Sequence, residues 1–402
     1  MRIFMKSIVA ILIFVLCSCG ENIVVNMKIN VGEKMGDFEN ISVQTISSNI
    51  EYIPLETNDS SLIGAMPNIC VLNDAILVSS ANQCLKLFDR LTGRFIRDIG
   101  HVGVDPEGYA KDSWGIVNYW VDYTHNLIYV LGWNNDLVIF DLLGNCKDRL
   151  QIYDDTRCNL SQSYLFIDSG RIWGHNKLYI SNLCSSLFFV EQNTKSINDI
   201  IGLSILPLPM DEIQSISNLL GNYVSYGGNL TMVSFTDDRK FYTSIDSPSL
   251  WKNGDKICLK QAFNDTIYTL CDDRIYPYLI FELGDWKWNY KDRLEVPGCE
   301  RKISIDYVLE NEKYIYFHFH TGLYLNNRQS YCGLYQKESN RVTLMRGDRI
   351  FDVINNQDIQ LRTITSDGCF VALLQPNELC NELKDKYNCK EDDNPIIVIL
   401  RK

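Results

Sequence analysis

From about residue 46 onward the chain is a succession of short Val, Ile, Leu, Tyr and Phe runs in which apolar and polar positions alternate, interrupted by Gly, Asn and Asp. A period of two sends successive side chains to opposite faces of a strand, so the pattern predicts an all-β protein. One unit recurs. Residues 85–89 (Leu-Lys-Leu-Phe-Asp), then Leu91, Thr92 and Gly93, then residues 94–96 read as strand, tight turn, strand. The design returns at 137–141 with Gly144, at 187–191 with Thr194, at 333–336 with Asn340 and, more loosely, at 265–269 followed by 275–281. In most copies an acid ends the strand, and where Gly or Asn follows it supplies the positive φ of the turn.

Further β runs at 75–79, 127–131, 177–180 and 313–319 precede several copies, giving three or four strands per unit. The reference positions Phe88, Phe140 and Val190 are 52 and 50 residues apart, close to the length of a four-stranded propeller blade. The longer gaps, 78 residues to Tyr268 and 67 to Tyr335, require insertions. Five units plus a remainder at 359–374 and 395–400, completed by 50–55, predict a six-bladed β-propeller of four-stranded antiparallel blades. Closure of that kind removes the exposed edges that separate sheets would present. Short helical insertions are expected at 209–220 and 376–387. A multidomain β-sandwich is the competing architecture.

The N-terminus adds an address. Arg2 and Lys6 precede an apolar run at 8–16, too short to span a bilayer, which ends at Leu16, Cys17, Ser18 and Cys19. This reads as a lipoprotein signal peptide at 1–18, with lipid attachment at Cys19, a tether at 19–45 and the propeller at 46–402. Losing Arg2 and Lys6 moves the formal charge from −12 to −14. Such a surface lacks the basic excess that nucleic acid requires, so nucleic acid is excluded as a partner. Export permits disulfides, but the cysteines after Cys19 are scattered and form no CxxC, which leaves thiolate metal clusters unsupported. Cys380 and Cys389, flanking the second expected helix, are the pair best placed to bridge.

Several phrases in order along the chain carry a family resemblance: residues 50–57 (Ile-Glu-Tyr-Ile-Pro-Leu-Glu-Thr), Phe88-Asp89 through Ile96, residues 264–268 (Asn-Asp-Thr-Ile-Tyr) and residues 394–398 (Asn-Pro-Ile-Ile-Val). Over residues 46–402 the chain resembles the six-bladed β-propeller lipoproteins of Bacteroides-type bacteria, which have NHL-like or TolB-like blades. The segment 100–109 matches that family's Gly-rich loop entering the second blade, with Asp105 and Gly108 departing from its Gly-Pro-Gly-Glu-Tyr style. The resemblance implies an outer-membrane lipoprotein, periplasmic or surface-facing, and assigns no substrate.

Candidate chemistry is sparse. His318 and His320 flank Phe319 in a β run, so both imidazoles share one face and could ligate a divalent ion. The sequence assigns them no acidic third ligand, and two polar side chains in an aromatic-rich strand fit as well; no cofactor and no retained metal are therefore expected. Asp122, His125 and a serine could be written as a triad, but no Gly-x-Ser-x-Gly elbow is present, and the chain lacks His-Glu-x-x-His, a Walker loop and a Rossmann fingerprint. Residues 244–251 imitate an Asp-box with Pro248 at the glycine position, and Arg346-Gly347-Asp348 reads as a turn. Trp286, Trp288 and Tyr290 near one strand edge, Glu107 and Tyr109 in the Gly-rich loop, and Trp114, Trp120 and Trp133 nearby are the candidate ligand contacts, since exposed aromatic faces stack on sugars or apolar side chains. The preferred reading is a ligand- or protein-binding module held to the membrane by lipid, with an envelope protein or carbohydrate as partner and no catalysis. The alternatives are a metal-assisted hydrolase or lactonase, or a polysaccharide lyase, at the propeller channel, and a structural subunit of an envelope complex. Mass spectrometry of membrane-fraction protein is expected to find diacylglycerol on Cys19 as the mature terminus; an unmodified terminus at another residue would remove the anchor.

Overall fold

The structure, a computed structural model, describes residues 27–112, 114–151, 160, 163–176, 185–191, 196–203, 212–219, 229–238, 240–245, 249–261, 264–271, 274–289, 299–323 and 328–401. The signal segment, Cys19 and Tyr290 lie outside them. Strand β1 (Met27–Asn30) and the single-turn helix α1 (Val43–Ile46) lead to β2 (Asn49–Pro54). A four-stranded sheet follows from β3 (Asn68–Val71), β4 (Ala75–Ser79), β5 (Leu85–Asp89) and β6 (Phe95–Ile99). After a short parallel pair, β7 (His101–Val102) and β8 (Gly108–Tyr109), the next sheet is β9 (Tyr119–Asp122), β10 (Leu127–Leu131), β11 (Asp136–Asp141) and β12 (Cys146–Gln151). A third comprises β13 (Ser163–Asp168), β14 (Arg171–Asn176), β15 (Ser185–Glu191) and β16 (Ser196–Leu203).

Strands β17 (Ile213–Leu219), β18 (Asn229–Phe235) and β19 (Lys240–Ile245) make a three-stranded sheet. Then come β20 (Leu250–Asn253), β21 (Lys256–Lys260), β22 (Thr266–Cys271) and β23 (Arg274–Glu282), extended to five strands by β1, which pairs parallel with β23. The sheet of β24 (Ile303–Glu310), β25 (Tyr314–Thr321), β26 (Gln329–Gln336) and β27 (Arg341–Arg346) is followed by the hairpin β28 (Ile350–Asp352) and β29 (Gln357–Ile359). The last sheet is β30 (Leu361–Ile364), β31 (Phe370–Leu374) and, after helix α2 (Asn381–Tyr387), β32 (Ile396–Arg401), with β2 as its fourth strand.

Among the described residues the protein is an all-β propeller with five four-stranded blades, where the repeat spacing predicts six. The sheet of β20–β23 has a fifth strand because the segment expected as a free tether folds onto its edge from Met27 onward. The three-stranded sheet is extra: Trp173 and Leu187 of the β13–β16 sheet share an apolar cluster directly with Leu250, Ile257, Leu259 and Leu270 of the five-stranded sheet. Similar clusters fill each junction between successive sheets round the ring. Alternation explains how one strand serves two junctions. In β32, Ile396, Val398 and Leu400 face the β24–β27 sheet, while Ile397 and Ile399 face β3–β6. Burial of an aliphatic side chain of this kind contributes about 1.5–3 kcal/mol.

The recurring sequence position has a structural counterpart. Register shifts in the third-to-fourth strand pairing fall beside Phe88, Phe140, Val190 and Tyr268, so the repeat marks a β-bulge that increases twist at the outer edge. Asp89 Oδ1 accepts the Thr92 N–H at 2.7 Å, Asp141 Oδ1 accepts the Asn145 N–H at 2.9 Å, and Gly93 and Gly144 have φ of 71° and 81°, as the turn chemistry requires. The fourth copy begins with glycine for a different reason: a Cβ on Gly333 would overlap the ring of Phe317 across the ladder.

Of three local expectations, two are corrected. The described part of the 209–220 insertion, Ile213–Leu219, is strand and not helix; its Ile, Ser and Asn residues are weak helix formers and gain a full ladder beside β18. The 376–387 segment is helical in two pieces, a 3₁₀ turn at Pro376–Glu378 and α2. Cys380 and Cys389 are both free thiols, and Cys380 Sγ instead donates to the Asn355 carbonyl at 3.2 Å. No described helix is long and apolar enough to cross a membrane.

The N-terminal segment runs along outer edges of successive sheets, meeting β23, then Leu344 of β27 through Phe38, then Phe351 of β28 through Ser42. It ends in β2, which pairs with β32 from Asn49–Arg401 to Pro54–Ile396. Asp352, fully buried, fastens this approach: its carboxylate accepts the Tyr52 hydroxyl at 2.6 Å, the Gln44 amide at 2.7 Å and the Asn355 amide at 2.7 Å. Burial alone would push the Asp352 carboxyl up, but these donors outweigh it and hold it below the usual carboxylate range. Tyr52→Phe should therefore lower the unfolding free energy by about 1.5–3 kcal/mol in a urea titration, the range for a hydrogen bond to a charged group. Deleting residues 46–57 should expose the β32 edge and cause aggregation, and an unchanged melt after that deletion would contradict closure through β2.

Candidate functional site

In an antiparallel four-stranded blade, the link from the outermost strand to the next innermost strand and the turn between the second and third strands emerge at the same end. Residues 100–118, the 132–135 turn, the segment after β23 and the C-terminal part of β25 therefore belong to one end of the ring. The Gly-rich loop, Trp114, Trp133, Trp286, Trp288 and the two histidines of β25 lie toward that end, whereas Asp122 and His125, in the β9–β10 turn, lie at the other.

The Gly-rich loop is held from below and from the side. Tyr109 is fully buried; its hydroxyl donates to the Ile99 carbonyl at 2.9 Å and accepts the Leu85 N–H at 3.1 Å, and its ring meets Phe140 edge-on. It anchors the loop within the core. Arg149 Nη1 donates to the carbonyls of Pro106 at 2.7 Å and Gly108 at 3.2 Å, while its Nε bonds the buried Asp136 carboxylate. Within the loop, His101 Nε2 and Asp105 Oδ2 lie 2.7 Å apart, and this hydrogen bond holds the Asp105 carboxyl below its ordinary range. Glu107 is exposed, its N–H bonded to Asp105 Oδ1 at 3.1 Å.

Beside this loop stands Trp133, 51% exposed, whose indole N–H donates to the Gly103 carbonyl at 2.6 Å. Val104, one residue on from Gly103, is 86% exposed. The same long connection carries Trp114, 37% exposed, on a turn whose backbone is bonded to the Asp112 carboxylate. The other aromatic candidates differ. Trp288 is buried and Trp286 is half-buried against the cluster between the β20–β23 and β24–β27 sheets, while Trp120 is half-buried in the cluster behind β9.

Asp122 and His125 do meet, with His125 Nδ1 2.7 Å from Asp122 Oδ2, but Asp122 also accepts backbone N–H groups of Thr124 and His125 in a tight turn, and no serine is bonded to His125 among the described contacts. Among the described residues a Ser–His contact lies elsewhere: His175 Nδ1 is 3.0 Å from Ser249 Oγ, with both residues buried across a sheet junction.

His318 and His320 acquire the acidic neighbour that the sequence could not assign. In β24 the register skips between Ile305 and Tyr307, leaving Asp306 as the extra residue of a bulge opposite β25. His318 pairs with Tyr307 and His320 with Ser304, so the two imidazoles and Asp306 meet on the face turned toward the β30–β32 sheet. Asp306 Oδ2 bonds His320 Nδ1 and lies 3.6 Å from His318 Nδ1; the rings stand edge to face with centroids 4.6 Å apart. Ser304 Oγ donates to the other carboxylate oxygen at 2.9 Å. All three possible ligand atoms lie within 4.8 Å of one another. His318 is 0% and His320 6% exposed, so the cluster is inside the blade and not on its surface. Burial would push the Asp306 carboxyl up, but His320 and His318 outweigh it and hold the group well below the carboxylate range; burial pushes the His318 imidazole down.

A family model described as "Domain of unknown function (DUF4934)" matches residues 27–401. No curated protein matches the chain. Among solved structures, a Bacteroides fragilis NCTC 9343 protein described as exported (BF0058) is 15% identical with a TM-score of 0.53, covering 94% of this chain and 99% of that one. U3-55K is 12% identical, with a TM-score of 0.42 and coverage of 88% and 99%. The WD40 β-propeller domain of Doa1 is 8% identical, with a TM-score of 0.37 and coverage of 87% and 97%.

Proposed function

The chain belongs to the DUF4934 family, a domain of unknown function, and from that premise we propose that it is an exported, lipid-anchored module of the cell envelope that binds a ligand or protein and carries out no chemistry of its own. The observation that carries the reading is Trp133: a half-exposed indole whose N–H is already committed to the Gly103 carbonyl, so that the ring is fixed before any ligand arrives. Fixed aromatic faces with apolar neighbours such as Val104 favour stacking on sugar rings or apolar side chains, because little ordering entropy is lost on binding. Glu107 and Trp114 extend the same connection. The acidic chain, at a formal −12, favours neutral or basic ligands over polyanions.

Location follows from two supports. The Bacteroides fragilis neighbour is described as exported, and the N-terminal run ends in the lipobox-like segment at Cys19, as in the lipoproteins with NHL-like or TolB-like blades that the chain resembles. Outer-membrane residence, with the body periplasmic or surface-facing, is part of this proposal.

The test is a panel of neutral polysaccharides and purified envelope proteins presented to the mature chain and to Trp133→Ala. For any ligand captured, the substitution should weaken binding by about tenfold or more, the loss expected of a central aromatic contact, with the thermal melt unchanged. Capture that is indifferent to Trp133→Ala and to Trp114→Ala would take the binding face away from this end of the β9–β12 sheet.

A further inference from the structure

We infer that Asp306, His318 and His320 form a binding site for one divalent transition-metal ion of the zinc class, held inside the β24–β27 sheet. The donor set is one carboxylate oxygen and one ring nitrogen from each of two imidazoles, all within 4.8 Å of one another and all on one face of the sheet. A mixed nitrogen and oxygen set of this kind suits Zn²⁺, Co²⁺ and their neighbours, and is too poor in oxygen for Ca²⁺ or Mg²⁺.

Three features separate this cluster from an ordinary surface ion pair. First, the donors are buried, with side-chain exposures of 13% for Asp306, 1% for His318 and 8% for His320, so water does not compensate them. Second, the geometry is built by a ladder irregularity: without the extra residue in β24, the carboxylate and the two rings would not share this arrangement, and bulges commonly re-aim side chains at functional sites. Third, the carboxylate is oriented from behind by the Ser304 hydroxyl at 2.9 Å, the kind of outer hydrogen bond that holds a metal-binding carboxylate in place. The ion would displace the proton shared between Asp306 Oδ2 and His320 Nδ1, which leaves to solvent, and would tie the innermost strand β24 to β25.

The inference does not depend on the binding face around Trp133. The mature chain without any affinity tag is stripped with chelator, dialysed and titrated with Zn²⁺, with bound metal read by elemental analysis. The expected result is one equivalent of zinc per chain and an upward shift of the thermal midpoint. Asp306→Asn and His320→Gln should each abolish stoichiometric uptake, and Ser304→Ala should still fill at high zinc with affinity reduced by about 10- to 100-fold. Should the ligand variants fail to fold, wild-type protein loaded with Co²⁺ decides alone, through the visible absorption of a cobalt ion in a low-coordinate nitrogen and oxygen site. Wild-type protein that takes up neither zinc nor cobalt, or folded variants that retain a full equivalent, would overturn the inference and leave the cluster as a buried hydrogen-bonded network.

Discussion

Everything in this molecule depends on one pairing, that of β2 with β32. The two strands come from opposite ends of the folded chain, and their six-residue register completes the last sheet. A ring of sheets packed face to face has no lone terminal surface once closed, but its closure must be held against the entropy of bringing distant chain segments together. Here the hold is double: a backbone ladder, and a buried carboxylate, Asp352, that collects donors from Gln44 and Tyr52 on the incoming segment. The Arg401–Glu51 pair, at 2.6 Å, adds a partly exposed contact across the same seam and counts for less because solvent screens it.

The approach to that seam also protects the ring. Outer strands β23, β27 and β28 would present unpaired backbone groups to solvent, and residues 27–42 meet each of them in turn before β2 is reached. The stretch expected as a tether is therefore part of the folded structure from Met27 onward.

Loop and core divide the functional possibilities. At the exposed end, Arg149 and Trp133 pin the carbonyls of the 101–109 loop, so a surface connection gains a fixed shape without regular secondary structure. Inside the blade, the bulge at Asp306 brings a carboxylate to two imidazoles in a place closed to large ligands. The first arrangement suits recognition of something outside; the second suits a small cation.

The alternating pattern by itself determined that the chain is all-β, that it repeats at blade length, that Asp and Gly end the third strands, and that residues 50–55 return to the C-terminal sheet. Those properties are local or pairwise: they depend on side-chain period, turn stereochemistry and a missing strand, all written in neighbouring residues. Strand alternation also placed His318 and His320 on one face. Only the tertiary structure decided the rest. Asp306 joined the histidines through a skipped register that nothing in Ile-Ser-Ile-Asp-Tyr reveals, because a bulge is a property of two strands together. Tyr109 and Trp288 turned inward while Trp133 and Trp114 stayed partly outside, since an aromatic residue in a connection is buried or exposed according to which sheet passes behind it. The five regular blades, the fifth strand added by residues 27–30 and the strand at 213–219 in place of a helix were likewise settled by long-range pairing, which outweighs weak local preferences.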